Sequence, residues 1–257
     1  MTRRRRIPWP VRAPAALAGM AAATYAAYVG AAWLRYGHPH RPDADEADDL
    51  LDRFMPAYDV AERHHIGVAA PAAITFAASM DMDLEDSPII RAIFKGREIL
   101  LGADRDRKVP VRGLVAVTKA LGWGVLAERP DREIVMGAVT QPWKANVEFR
   151  SLPPDEFAAF DRPGFVKIVW TLRADAVDAN RSIARTETRV VATDGEARRR
   201  FRWYWARFSA GIVLIREVSM RLVKTEAERR ATDQKRGQTP FSHVRDNDAW
   251  RPIVRSF

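Results

Sequence analysis

The sequence predicts an α+β fold, a curved antiparallel sheet wrapped around one long carboxy-terminal helix, preceded by one amino-terminal apolar helix. Three observations predict it. Residues 181–193 alternate strictly and run straight through Asp194 into a helical pattern from Gly195 to about Ala231. Between 123 and 193 the chain is a series of short period-2 runs broken by turn residues. Ahead of everything, Ala13 to Leu34 carries no charge and follows a block of arginines.

Charge and composition narrow the function. The net charge is +9, but Arg3, Arg4, Arg5, Arg6, Arg12, Arg35 and Arg41 all precede residue 43 and no acid does. The remainder holds 35 basic against 33 acidic residues, so the excess belongs to the amino-terminal region and not to a basic domain. This argues against a nucleic-acid partner. The absence of cysteine excludes disulfides, thiol nucleophiles and cysteine-held metals.

The element order divides the chain. Residues 1–12 read as a basic cytoplasmic tail and 13–34 as a transmembrane anchor, whose 22 residues at 1.5 Å rise suffice for a bilayer core. Tyr25, Tyr28, Trp33 and Tyr36 lie toward its far end, where amphipathic rings favour an interface, and the arginines place the amino terminus inside the cell and the domain outside. A signal peptide cleaved after Val29 and Ala31, giving a secreted protein, is one alternative, and a soluble Ala-rich helix another. Residues 35–57 read as a juxtamembrane linker with a short amphipathic helix over Asp43–Phe54, its Leu50, Leu51 and Phe54 on one side. The main domain spans 58–231 and a polar tail 232–257, in which Trp250 and Phe257 are candidates to dock.

Within the domain, Tyr58, Val60, Glu62, His64, Ile66 and Val68 share one face of a strand. Pro71 opens a helix with Ile74, Phe76 and Met80, and Ser87-Pro88 starts a second to about Leu101, ended by Gly102. A charged loop fills 103–110 and a short helical piece 114–121. Strands at 123–129 and 133–141 flank a Pro130-Asp131 turn. A weaker strand follows at 147–152, a helical turn at 155–160 and a strong strand at 165–174. Asp194 caps the last helix, whose Phe201, Tyr204, Trp205, Phe208, Ile212, Ile215, Ser219 and Leu222 recur at steps of three and four. Ser209-Ala210-Gly211 predicts a kink in it.

Strand, two helices, antiparallel sheet and long terminal helix resemble the helix-grip order of the START (SRPBCC) superfamily, which includes birch-pollen allergens and polyketide cyclase-like proteins. Val68-Ala69-Ala70-Pro71-Ala72 through Phe76 resembles its entry into the first helix, and the resemblance covers about 58–229. It implies a cavity between sheet and helix for a lipid or other apolar small molecule, and no universal catalytic set. The residues that would line it are Val166, Ile168, Trp170, Leu172, Thr186, Thr188 and Val190 from the sheet and Tyr204, Trp205, Phe208 and Ile212 from the helix, with Tyr204 and the threonines orienting a polar head group. The bland alternative is that these side chains pack together with no cavity.

The leading expectation is therefore a membrane-anchored, non-catalytic binding domain without cofactor. A cyclase- or aromatase-like enzyme is the second reading, with Glu62, His64 and Glu148 as candidate acids or bases. The third is an interaction module using Arg198, Arg199, Arg200, Arg202 and Arg207, interleaved with Trp203, Tyr204 and Trp205, on a membrane or partner. Asp81, Asp83, Glu85 and Asp86 lack the glycine of a calcium loop and read as a solvated cluster. Arg185, Glu187 and Arg189 read as an exposed charge ladder, and His64 and His65 point to opposite faces, so no metal site is expected.

Overall fold

Six strands make one antiparallel sheet: β1 (Val60–Val68), β2 (Gly124–Arg129), β3 (Glu133–Thr140), β4 (Phe149–Arg150), β5 (Val166–Asp178) and β6 (Arg181–Ala192). Their order is β1-β6-β5-β3-β2, with the short β4 also on β3. The computed structural model describes residues 9–84, 87–102 and 111–237. Residues 1–8, Glu85 and Asp86 of the acidic cluster, the 103–110 loop, and 238–257 with Trp250 and Phe257 lie outside the described residues.

The helices are α1 (Trp9–Arg35), α2 (Asp49–Asp52), α3 (Ala72–Asp81), α4 (Pro88–Leu101), α5 (Leu114–Ala120), α6 (Pro154–Ala159) and α7 (Gly195–Gly237). The architecture is α+β in helix-grip order, with the long α7 crossing one face of the sheet. Asp194 caps α7 as expected, accepting from the amides of Glu196 (2.7 Å) and Ala197 (2.9 Å) through one oxygen and from Gly164 through the other. These three amides hold its carboxyl below the usual carboxylate range. α7 runs as one helix through Ser209-Ala210-Gly211, where the sequence predicts a kink.

Register sets what α7 meets. β1 pairs with β6 so that Val60, Glu62, His64, Ile66 and Val68 stand beside Val190, Thr188, Thr186, Ala184 and Ser182. Trp170 of β5 then pairs with Thr188, and Met136 of β3 with Trp170. At one end of this face Tyr36, Val60, Val166, Val190, Phe201 and Trp205 form an apolar cluster. At the other, Trp170, Leu172, Ala174, Ala184, Met220, Val223 and Ala227 pack with Phe76 of α3. The first buries Phe201 and Trp205 of the predicted stripe with Tyr204 and Ile212 half-buried beside them, whereas the second is built on Met220, Val223 and Ala227, with Leu222 of the stripe only half-buried against it.

The back of the sheet departs from expectation. Asp43–Phe54 is not one helix: only Asp49–Asp52 is helical, with Asp48 accepting the Leu51 amide at 2.9 Å. Leu50, Leu51, Phe54 and Met55 nevertheless pack on Val135, Val139, Val169 and Phe157. Tyr58, grouped by alternation with the front face, joins this back cluster. Arg185, Glu187 and Arg189 are consequently no solvated ladder. Arg189 is 1% exposed and pairs with Glu187 at 2.7 Å and with Asp52, while Arg185 holds Asp45 at 2.8 Å and Asp175 at 3.0 Å. Alternation identified that face correctly, but strand periodicity does not reveal a covering segment that lies over a hundred residues away.

The segment expected to span a membrane is helical within α1, yet no helix among the described residues is long and apolar enough to cross one. Eleven of residues 13–34 are alanine, whose methyl buries too little area to carry the transfer. The far end of α1 lies instead along α7. Tyr25 donates to the Arg207 carbonyl at 2.6 Å, Tyr28 to the Ser209 hydroxyl at 3.1 Å, and Arg202 to the Trp33 carbonyl at 2.7 Å.

Candidate functional site

Between the two apolar clusters under α7 lies a polar belt. Glu62 and His64 enter it from β1, Thr186 and Thr188 from β6, and Arg216 from α7. The guanidinium of Arg216 donates to the Thr188 hydroxyl at 2.9 Å and stands 5.7 Å from the Trp170 ring centre. Among the described residues it makes no ion pair. A hydrogen-bonded arginine in such a place normally finds a carboxylate, because its charge is costly to take out of water.

The electrostatics follow from that position. Burial pushes Arg216 down to about 10, against the charge of Glu62. Burial raises Glu62, against the arginines 35, 216 and 63. Burial and then Arg216 lower His64, against Glu217. Glu62 Oε2 and His64 Nε2 are 3.9 Å apart, beyond hydrogen-bond range. His64 Nε2 and the Thr186 hydroxyl, in a residue 2% exposed, are buried and without a hydrogen-bond partner among the described residues. Three hydrogen-bonding groups of one belt are thus under-used in a place where an unmade bond costs about 1–3 kcal/mol.

At the level of the belt the apolar side chains are less covered than in the clusters on either side. Phe201, Trp205 and Ala206 before it and Met220, Val223 and Ala227 after it are buried, whereas Phe208, Ile212, Val213, Ile168, Glu62 and His64 are only half-buried. Two cavities lie among the described residues. One, of about 20 Å³, opens on the back of the sheet beside Glu46, Arg63, Arg173 and Arg185 and touches His64 and Thr186 of the belt, and the other, of about 300 Å³, lies beside Asp131, Arg132 and Asp175.

The residues expected to line a cavity are distributed as follows. Val166, Ile168, Val190, Tyr204, Trp205 and Ile212 come together in the cluster at the start of α7, with Phe208 against Tyr204 at 5.0 Å between ring centres. Trp170 and Leu172 belong to the other cluster, and Thr186 and Thr188 to the belt. Of the candidate acids and bases, Glu62 and His64 face α7, but Glu148 is exposed in the loop before β4, where its carbonyl accepts from Thr140. His65 points to the other face, 3.8 Å from Glu46. Among the described residues no group of acids and histidines could hold a metal ion. Sequence reasoning missed Arg216. The signal was present: four residues after Ile212 and three before Ser219, it interrupts an apolar stripe with a charge.

No protein-family model matches the sequence, and no curated protein matches it. Among solved structures the chain is similar to the di-domain ARO/CYC BexL from the BE-7585A biosynthetic pathway. The identity is 16%, the match covers 65% of this chain and 46% of that one, and the TM-score is 0.25. It is similar also to the Zhui aromatase/cyclase from Streptomyces sp. R1128 (16% identity, 66% and 94% covered, TM-score 0.21) and to Ara h 8.0201 (9%, 61% and 97%, TM-score 0.17). These scores are too low to bear on this chain's chemistry, and its helix-grip arrangement rests on the topology described above.

Proposed function

We propose that this domain binds a small apolar molecule carrying one anionic group, with the anion on Arg216 and the apolar body between α7 and the sheet. The observation that carries the reading is Arg216 itself: its guanidinium is hydrogen-bonded only to a threonine and unpaired among the described residues. A carboxylate or enolate there would supply a charge-assisted bond that the folded chain leaves unmade. Thr186 and His64 offer the same guest further hydrogen bonds. Ile168, Phe208 and Ile212, half-exposed on either side, offer the apolar contact. Native mass spectrometry of the purified full chain tests this, followed by titration with decanoate and with 1-decanol. One decanoate per chain, bound at least about ten-fold more tightly than the alcohol, supports the reading, and equal or absent binding of the two overturns it.

A second reading has its own observation. Glu62 is displaced upward and His64 downward while they sit 3.9 Å apart. An acid and a base displaced toward each other in this way suit proton transfer on a guest held by Arg216. Solvent-deuterium incorporation into a bound β-keto acid, lost in Glu62→Gln with binding retained, would favour catalysis. Binding with no exchange would leave a carrier.

A further inference from the structure

Among the described residues, the side chains of α1 before Tyr25 meet no other element. Leu17, Met20 and Tyr25 are 63%, 64% and 50% exposed, and every described side chain from 17 to 27 is exposed, on all sides of the helix. A monomer seldom leaves so continuous an apolar surface to water. At its base an arginine–aromatic cluster surrounds the junction with α7. The Trp33 and Trp203 rings are 4.5 Å apart, Arg202 stands over Trp33 at 4.1 Å, and Arg207 over Trp203 at 5.0 Å, with Trp203 half open to solvent. Amphipathic rings with arginine belong at the boundary between hydrocarbon and headgroup.

Charge decides what covers this surface. Seven arginines and no acid precede residue 43, so a second copy packed through α1 would set like charge against like. An anionic surface is complementary to it. Hydrophobicity decides the mode: no helix among the described residues is long and apolar enough to cross a membrane, and α7 grips α1 from Tyr25 onward. We infer that the free half of α1 lies in the headgroup boundary of an anionic lipid bilayer, with Leu17 and Met20 in the acyl region and Arg207, exposed over Trp203, on lipid phosphates. The inference stands without the ligand reading.

Co-sedimentation of the full chain with large unilamellar vesicles tests it. Vesicles of phosphatidylcholine with one quarter phosphatidylglycerol should bind it at least about ten-fold better than phosphatidylcholine alone. Raising KCl from 0.1 to 0.5 M should release most of it, and alkaline carbonate the rest. Leu17→Asp with Met20→Asp should cut binding about ten-fold or more and leave the melting temperature unchanged, because both side chains are exposed. Three results would overturn the proposal: indifference to phosphatidylglycerol, resistance to carbonate, which marks a spanning helix, or a dimer that the double substitution dissociates without vesicles.

Discussion

Replacing Arg216 by methionine separates a ligand-binding arginine from a structural one. The fall of its pKa from the ordinary arginine value to about 10 corresponds to about 3 kcal/mol of unfavourable burial, and to about 1–3 kcal/mol once the remaining solvent contact is allowed for. Removing the charge recovers that much. It forfeits the bond to Thr188, worth about 1 kcal/mol, and the contact with the Trp170 ring, worth about 0.5–1 kcal/mol. Net stability of Arg216→Met therefore stays within about 1 kcal/mol of the parent, read as the urea midpoint at constant m. Affinity for decanoate should fall about 30-fold or more, since truncating one partner of a buried charged pair costs about 2 kcal/mol at least. A loss of several kcal/mol in stability with affinity unchanged would refute the reasoning and make Arg216 a packing element.

Arg189→Met should behave oppositely: it removes the bonds to Glu187, Asp52 and the Met55 carbonyl, Glu187 keeping Arg63 at 2.8 Å, and costs about 2–3 kcal/mol in urea unfolding, with decanoate binding retained at temperatures where the variant is folded. Gly122→Ala should cost about 2 kcal/mol or more, because φ is +102° there and the new Cβ would meet the Phe149 carbonyl; the melting temperature reports it. Burial, then the neighbouring Asp48, raise Glu133 to about 8, against Arg173 and Arg129. A carboxyl raised on folding stabilises fully below its unfolded value of about 4.5, and that contribution is lost as pH rises through about 8. Urea midpoints at pH 5 and pH 9 should therefore fall with pH in the parent, and fall less in Glu133→Gln.

The grip was legible because its elements are local. Alternation in 166–174 and 181–192, the Asp194 cap and the aromatic steps from Phe201 to Ile215 each declare themselves within a dozen residues. The alternation of β1 also placed Glu62 and His64 on one face and His65 on the other. What escaped depends on distant pairing. Nothing near Arg189 in sequence shows that Asp52 and Met55 close over it, so its strand face read as solvated. Arg216 was passed over as one more arginine of a basic helix. Its place on the apolar stripe gains meaning only when the register of β1 on β6 sets Glu62 beside Thr188. The amino-terminal segment misled for a compositional reason: its lack of charge suits a membrane, but its alanines do not supply the hydrophobicity, and its tyrosines and Trp33 are used on α7.

The most direct test of the polar belt is a proton–nitrogen NMR titration of the arginine side chains with decanoate, the Arg216 Nε resonance being assigned by its loss in Arg216→Lys. The account predicts that Arg216 Nε–H shifts downfield and saturates at one decanoate per chain, while arginines 181 and 229 on the surface do not move. An unchanged Arg216 resonance under saturating decanoate would contradict it.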